Sequence, residues 1–430
     1  MTAPRCPAHG LVTDRRRLLL GLGLGAAAAA ACPAGAASLA GNEAADAPES
    51  ADANAAVPFY GRRQAGIVTP RPAAGMIASF DTLARTPEEV ERLFRLLTER
   101  FAFLAVGGPV PELDPKLPPP DSGILGPVVP PDRLTMTLSL GASFFENRPW
   151  AAPLRPARLS RMTKFPNDAL DADLCHGDLS VQICANTPDA TIHALRDLIK
   201  QAPDLLLIRW KQEGTVPILA PRPDGRTESA RNFLGFRDGS ANPDSRDEPL
   251  MERVVWTRGG ENGEPAWTTG GSYQAVRIIR NFVERWDRTP LGEQERIIGR
   301  LKASGAPMTG TDEAELPDYA ADPDGALTPF DAHIRLANPR TPGSEASLML
   351  RRPFNYSNGV TKNGQLDQGL LFIAYQADLE AAFIAVQKRL DGEPLEEYVK
   401  PVGGGYFFTL PGVEAPGDYL GRPLLEAASA

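Results

Sequence analysis

Histidine is scarce in this chain, with four in 430 residues, and so is cysteine, also four. Basic residues fall short of acidic ones, 45 Lys and Arg against 54 Asp and Glu, for a net charge of −9. Such an acidic balance argues against nucleic acid and anionic membranes as partners. Long apolar runs are missing too. The one candidate, Leu18 to Ala31, falls short of the ~20 residues that span a bilayer, and it is mostly Ala and Gly. That argues against stable membrane insertion, and the residues ahead of the run explain it differently. Thr13-Asp14-Arg15-Arg16-Arg17-Leu18 sets paired arginines before a weakly hydrophobic stretch, the pattern of a twin-arginine export signal. Residues 1–40 are read as that signal peptide, with cleavage among the small residues between Ala36 and Ala40. The mature protein is then periplasmic or extracellular, and more acidic still, because four Arg and one Asp leave with the signal.

Two cysteines remain in the mature chain, Cys175 and Cys184. If Gly177 to Cys184 is a strand, they stand too far apart for a relaxed bridge, so two isolated buried thiols are expected. Residues 41–60, rich in Ala, Asp and Asn, read as a disordered tether.

Beyond the tether one grammar occurs twice: a short apolar run, a Thr-Pro cap, then a helix. In the first half Gly75 to Phe80 is a strand candidate. Thr86-Pro87-Glu88-Glu89 supplies an N-cap, an N1 proline and a capping-box Glu. Val90, Leu93, Phe94, Leu97 and Phe101 then share one helical face. Strands are expected from Leu134 to Phe144, Asp178 to Ala185 and Leu205 to Trp210, with a helix from Thr187 to Lys200 carrying His193 on its surface. In the second half, strands are expected at Ser272–Phe282, Leu348–Leu350, Leu370–Tyr375 and Gly405–Leu410. Helices are expected from Thr289 to about Ala303 and from Asp378 to Leu390. This order predicts an α+β protein built of two packed ferredoxin-like units, 61–230 and 231–425.

The chemistry concentrates in the second half. Gly235-Phe236-Arg237-Asp238-Gly239-Ser240-Ala241-Asn242-Pro243 places one carboxylate in a loop of small residues, with His333 and Arg351 further along the chain. Of the histidines, His9 leaves with the signal, His176 sits in a turn and His193 on a helix, which leaves His333. An acid, a lone imidazole and an arginine suit a haem peroxidase. An imidazole holds the iron, a carboxylate moves a proton from the near to the far oxygen of peroxide, and a cation steadies the developing charge. Taken singly, each residue has a plainer reading. Asp238-Gly239 is a common turn pair, Arg351-Arg352 a solvated strand end, and a lone His more often a satisfied structural residue than a ligand. A carboxylate on the far nitrogen of the histidine would raise its basicity, and Glu397 is the candidate, although spacing alone places Glu396 and Glu397 in solvent. No Cys-x-x-Cys-His occurs, so covalent c-type attachment is excluded.

The Gly-Phe-Arg-Asp-Gly-Ser-Ala-Asn-Pro loop resembles the Gly-x-x-Asp-Gly signature of the dye-decolorising (DyP-type) haem peroxidases. With its trailing Ala-Asn-Pro it is similar to their exported, iron-uptake-linked deferrochelatase/peroxidase subgroup. Asp331-Ala332-His333-Ile334-Arg335-Leu336-Ala337-Asn338-Pro339-Arg340, Arg351-Arg352-Pro353-Phe354-Asn355-Tyr356 and Gly392 through Phe408 carry the same likeness, which spans about residues 60–420. The resemblance implies a dimeric α+β-barrel fold and one non-covalent haem b per subunit. It implies His333 as axial iron ligand, Asp238 as acid/base and Arg351 as the distal arginine. Gly239, Ser240 and Ala241 would lie against one side of the haem, and Asn338, Pro339 and Arg340 would hold an edge, with Arg340 suited to a propionate. It also implies Glu397 as the histidine's partner. Pro353 departs from the small residue more usual after the double arginine.

Three functions fit this constellation. The first is a peroxidase that reduces hydrogen peroxide and oxidises phenolic or dye-like donors, with Trp210, Trp256 or Trp286 as candidate surface electron relays. The second is a deferrochelatase that takes iron from haem and leaves the porphyrin intact, tied to an iron-permease system. The third is a non-catalytic haem or iron carrier, which would need His333 but have no use for Asp238 and Arg351 together. Asp238→Ala separates the third from the first. A homodimer is the expected assembly.

Overall fold

The computed structural model describes residues 55–111, 114–220 and 228–430. The expected signal peptide and most of the expected tether lie outside these residues. Residues 55–60 are described, and they correct the tether at its end. Phe59 joins the core at 9% exposure and the Ala55 carbonyl accepts from Arg133 N, because an aromatic ring next to the barrel gains more by burial than by solvation.

Eight strands carry the architecture: β1 (Ala74–Thr82), β2 (Thr135–Gly141), β3 (Leu179–Ala185), β4 (Leu206–Thr215), β5 (Ser272–Asn281), β6 (Phe354–Val360), β7 (Leu366–Gln376) and β8 (Val399–Thr409). In the first half they run in the order β2-β3-β1-β4, in the second β6-β7-β5-β8, every pairing antiparallel. Each half is thus a four-stranded sheet of ferredoxin-like order. The sheets close edge to edge into one barrel. One seam pairs β8 with β2, from Phe407↔Gly141 to Thr409↔Ser139, and the other pairs β4 with β6 at Thr215↔Asn355. Closure removes the exposed sheet edges that would otherwise invite aggregation.

Alternation along the strands sorts the side chains into two layers. On β1, Ile77 points into the barrel, while Met76, Ala78 and Phe80 point outward to the helices. The barrel interior also holds a hydrogen-bonded polar chain that crosses between halves. Ser180 donates to Gln274, Gln274 to the Tyr375 hydroxyl (2.8 Å), and Tyr375 to Gln182 (3.0 Å). Polar groups buried this deeply are tolerable only when paired.

Helix α1 (Pro87–Val106) begins as its sequence dictates: Thr86 Oγ1 accepts from Glu89 N and the Glu89 carboxylate accepts from Thr86 N. Val90, Leu93, Phe94, Leu97 and Phe101 are all buried against the sheet. Helix α2 (Pro188–Gln201) packs beside it. His193, expected at the surface of α2, is buried at 2% exposure, where its Nδ1 meets Ser122 Oγ at 2.7 Å. The segment around Ser122 covers that face of the helix, which periodicity within α2 does not register.

Other boundaries move for local reasons. The strand expected to reach Phe144 stops at Gly141, and Ala142–Glu146 turns helical. The helix expected to reach Ala303 is α3 (Leu291–Ile298), ended by Gly299 at φ 91°. Strand β6 is not visible in the sequence pattern because only its first three residues are buried, and Ser357, Asn358 and Gly359 look like a loop. Cys175 and Cys184 are buried free thiols.

Candidate functional site

In the second half the helices stand off the sheet. Between them lies a cleft of about 310 Å³, within the range of small-molecule pockets. Its floor is the outward face of β5 and β7, Arg277, Ile279, Leu370 and Phe372. Phe383, Val386 and Leu390 wall it from the opposite side, on the π-helical turn Glu380–Ile384 and the helix α5 (Ala385–Leu390) that continues it.

His333 opens α4 (His333–Ala337), a single turn at the end of the long Asp/Gly/Pro-rich loop, and lines the cleft. Its Nδ1 donates to Glu393 Oε2 at 2.7 Å. A carboxylate can only accept, so Nδ1 carries the proton and Nε2 presents a lone pair. Burial disfavours the imidazolium here, but the charge and hydrogen bond of Glu393 outweigh it and the His333 pKa lies above the usual value. Glu393 is only 7% exposed, and a carboxylate so buried needs a partner.

The residue expected in that role, Glu397, does not reach His333. It is solvent-exposed and pairs with Arg285 at 3.3 Å. Glu393 precedes the 3-10 turn Pro394–Glu397 and Glu397 ends it, so the turn sends the two acids to opposite environments. The sequence signal that could have found Glu393 is its place directly before Pro394, in an extended conformation that leaves its side chain clear of the turn.

Asp238 and Arg351 meet in the same cleft, Arg351 Nη1 donating to Asp238 Oδ1 at 3.1 Å. Two devices hold them. Asn232 Oδ1 accepts from the backbone of Leu234 and Phe236, and Gly235 turns the chain at φ 86°, so the loop folds back and Asp238 N donates to Ala230 O. Asn242 then grips the Arg351 backbone with both ends of its amide: its Nδ2 donates to Arg351 O (3.0 Å) and its Oδ1 accepts from Arg351 N (2.8 Å). Sequence reasoning missed Asn242 as a site residue, although the Ala-Asn-Pro tail of the motif contains it. Gly239 has a steric reason as well: a Cβ there would stand 2.8 Å from Ser229 Oγ. Ser240 Oγ donates to Glu313, and Gly239, Ser240 and Ala241 all face the cleft.

Asn338 and Arg340 line the cleft too, whereas Pro339 does not. Arg340 adopts φ 54°, its backbone N donating to Asn338 Oδ1. Its Nε is buried without a hydrogen-bond partner among the described residues, and so are Nε and Nη1 of Arg277, whose Nη2 pairs with Asp168. Unsatisfied buried guanidinium N–H groups on residues that line a cleft are costly unless an anion arrives. The remaining histidine of the barrel is structural: His176 sits at φ 63°, and its carbonyl accepts from Ser79 Oγ and Trp210 Nε1. The expected relays Trp210, Trp256 and Trp286 are all buried, at 4%, 2% and 0% exposure, so none presents a surface.

Known proteins resemble this chain over nearly all of its described residues. Residues 64–215 match the family model described as Dyp-type peroxidase, N-terminal, and residues 229–414 its C-terminal counterpart. The chain is 58% identical over 419 residues to a protein of Escherichia coli K12 named deferrochelatase, covering 97% of this chain and 98% of that one. A Shigella flexneri protein of the same name is 58% identical over 415 residues, 96% and 97% of the two chains. Among solved structures, a DyP-type peroxidase from Cellulomonas bogoriensis superposes with a TM-score of 0.76 at 35% identity, over 87% of this chain and 99% of that one. One from Streptomyces coelicolor gives 0.77 at 32%, over 87% and 98%. Among the described residues no helix is long and apolar enough to cross a membrane.

Proposed function

The chain belongs to the Dyp-type peroxidase family, and from that premise we propose that it is an exported enzyme that holds one non-covalent haem b per subunit in this cleft and oxidises phenolic or dye-like donors with hydrogen peroxide. The observation that carries the reading is the meeting in one apolar cleft of a carboxylate-backed imidazole, His333–Glu393, with an acid–cation pair, Asp238–Arg351. The cleft fits the group: its walls are apolar, and Arg340 and Arg277 present unpartnered buried N–H groups suited to the carboxylates at a haem's edge.

His333 Nε2 would hold the haem iron, made more basic by Glu393. The bound haem supplies the redox-active iron at which the peroxide O–O bond breaks. Asp238 would take the proton from the nearer peroxide oxygen and return it to the farther one, which leaves as water. Arg351, fixed by Asn242, would stabilise the negative charge that grows on the departing oxygen. The small side chains Gly239, Ser240 and Ala241 would let the loop approach the ring, while Asn338 and Arg340 would bound its edge.

A second reading, iron removal from haem with the porphyrin left intact, is favoured by the 58% identity over nearly the whole chain to proteins named deferrochelatase. Its partner would be an iron-permease system. Twin-arginine export to the periplasm or exterior, a homodimer, and functional halves at 61–230 and 231–425 complete the proposal. The test is a UV–visible spectrum of the purified protein before and after one equivalent of hydrogen peroxide, with His333→Ala alongside. A Soret band lost in the variant and altered rapidly by peroxide supports the peroxidase. A band indifferent to peroxide, with iron-free porphyrin accumulating on incubation with haem, moves the conclusion to the second reading. A wild-type protein that takes up no haem overturns both.

A further inference from the structure

One polar group in the cleft has no part in either haem reaction. Tyr319 lines the cleft with its Oη buried and without a hydrogen-bond partner among the described residues. A buried hydroxyl left unpaired is costly, so a native partner is to be expected from a ligand. The hydroxyl is also held in place. The Arg335 guanidinium lies 4.7 Å from the centre of the Tyr319 ring and 4.4 Å from that of Phe330, stacked on both. Arg335 is fixed in turn by the Thr328 carbonyl at 2.7 Å and by Asp322. Burial raises the Tyr319 pKa although Arg340, Arg335 and Arg300 draw it down, so the phenol stays protonated and donates.

Arg340 lines the same cleft as Tyr319, its charge is the largest of those that draw the Tyr319 pKa down, and its own Nε is a second buried donor without a partner among the described residues. One neutral and one charged donor without an acceptor match the two oxygens of a single carboxylate. Resting on the proposal that the cleft holds haem, we propose that Tyr319 and Arg340 together clamp one carboxylate of that haem, Tyr319 donating to one oxygen and Arg340 to the other. Tyr319 is then a positioning residue that sets how long haem stays in the cleft.

The experiment compares the full-length wild type with Tyr319→Phe, each loaded with haem or with haem dimethyl ester, whose carboxylates are blocked. The rate of haem loss to excess apomyoglobin is followed by absorbance. The expected result is about tenfold faster loss of ordinary haem from Tyr319→Phe, the size of one hydrogen bond to a charged group, and equal rates for the two proteins loaded with the ester. Equal rates with ordinary haem overturn the proposal. So does the same acceleration with haem and ester, since the hydroxyl would then act on the loop and not on the carboxylate. A wild type that loads with neither porphyrin overturns the haem reading itself, and this inference with it.

Discussion

The two halves of the barrel share one strand order and differ in what lies over the outer face of the sheet. Over the first half, α1 and α2 are 20 and 14 residues long and press Leu93, Phe94, Leu97, Leu195 and Leu198 onto Met76, Ala78 and Phe80. Over the second, α3 is 8 residues long and α5 is 6, or 11 with the π-helical turn it continues, and the corresponding sheet face carries Arg277, Ile279, Leu370 and Phe372 into an open cleft. One half spends its outward face on a core, and the other withholds that packing and gains a site. The pairing teaches that in this fold function comes from shortening the helices and moving the chain into loops, Gly235–Pro243 and the long approach to His333, that carry charge where the first half carries phenylalanine.

The comparison breaks most completely at His333. His333→Ala is expected to abolish retention of haem, read as loss of the Soret band, with far-UV circular dichroism unchanged because α4 is one turn at the cleft rim. Retention with an unaltered spectrum would show that the cleft does not use this ligand. Next come the groups that act without holding the haem. Asp238→Ala should keep the Soret band and lower kcat/KM for peroxide by about 10²–10⁴-fold, the usual share of a positioned proton-transfer group. Unchanged turnover would return the molecule to a carrier.

Stability should fall the other way. Phe101→Ala, in a fully buried position of the first half, is expected to cost about 3–5 kcal/mol in urea unfolding. Phe372→Ala, half-buried over the cleft, should cost the haem-free protein distinctly less, because one side of that ring already lacks neighbours. Equal losses would mean that the cleft is closed in solution and that the contrast between halves is overstated.

Glu393 and Glu397 sharpen the site itself. Glu393→Gln should lower peroxidase activity by about 10–100-fold, as loss of a carboxylate behind a metal-bound imidazole commonly does, while Glu397→Gln leaves it unchanged. A pH dependence with a definite sign is also expected. Iron takes the neutral imidazole, and Glu393 raises the His333 pKa, so haem capture by the wild type should weaken as pH falls through a value above the ordinary one. In Glu393→Gln burial remains and the partner's charge is gone, so the acid limit should move to lower pH. A shift upward would contradict the hydrogen bond between His333 and Glu393.

Legibility in the sequence divides along the same line. The first half is legible because its signals are local and periodic: Thr86-Pro87-Glu88-Glu89 caps α1, and the apolar face from Val90 to Phe101 repeats at helical spacing. In the second half the motif residues Asp238, His333 and Arg351 are identifiable, but the residues that serve them are not. Asn242 acts across the fold on the Arg351 backbone, and Glu393 reaches His333 only because the 3-10 turn at Pro394 separates it from Glu397. Neither relation has a period or a fixed spacing. His193 is misplaced for the matching reason: the segment that buries it comes from elsewhere in the chain.

The smallest effect tests the local end of that division. Thr86 caps α1 with a complete box, whereas Ala332, before α4, offers no side-chain cap at all. Thr86→Ala removes one acceptor from the first turn of a helix whose buried face is intact, so the loss should be about 1 kcal/mol by urea unfolding, with haem retention and turnover untouched. The first half would then behave as a scaffold whose defects stay where they are made. If so small a change at α1 altered haem loss, the thin β2–β8 and β4–β6 seams would be transmitting strain into the cleft, and the two halves would have to be treated as one cooperative unit.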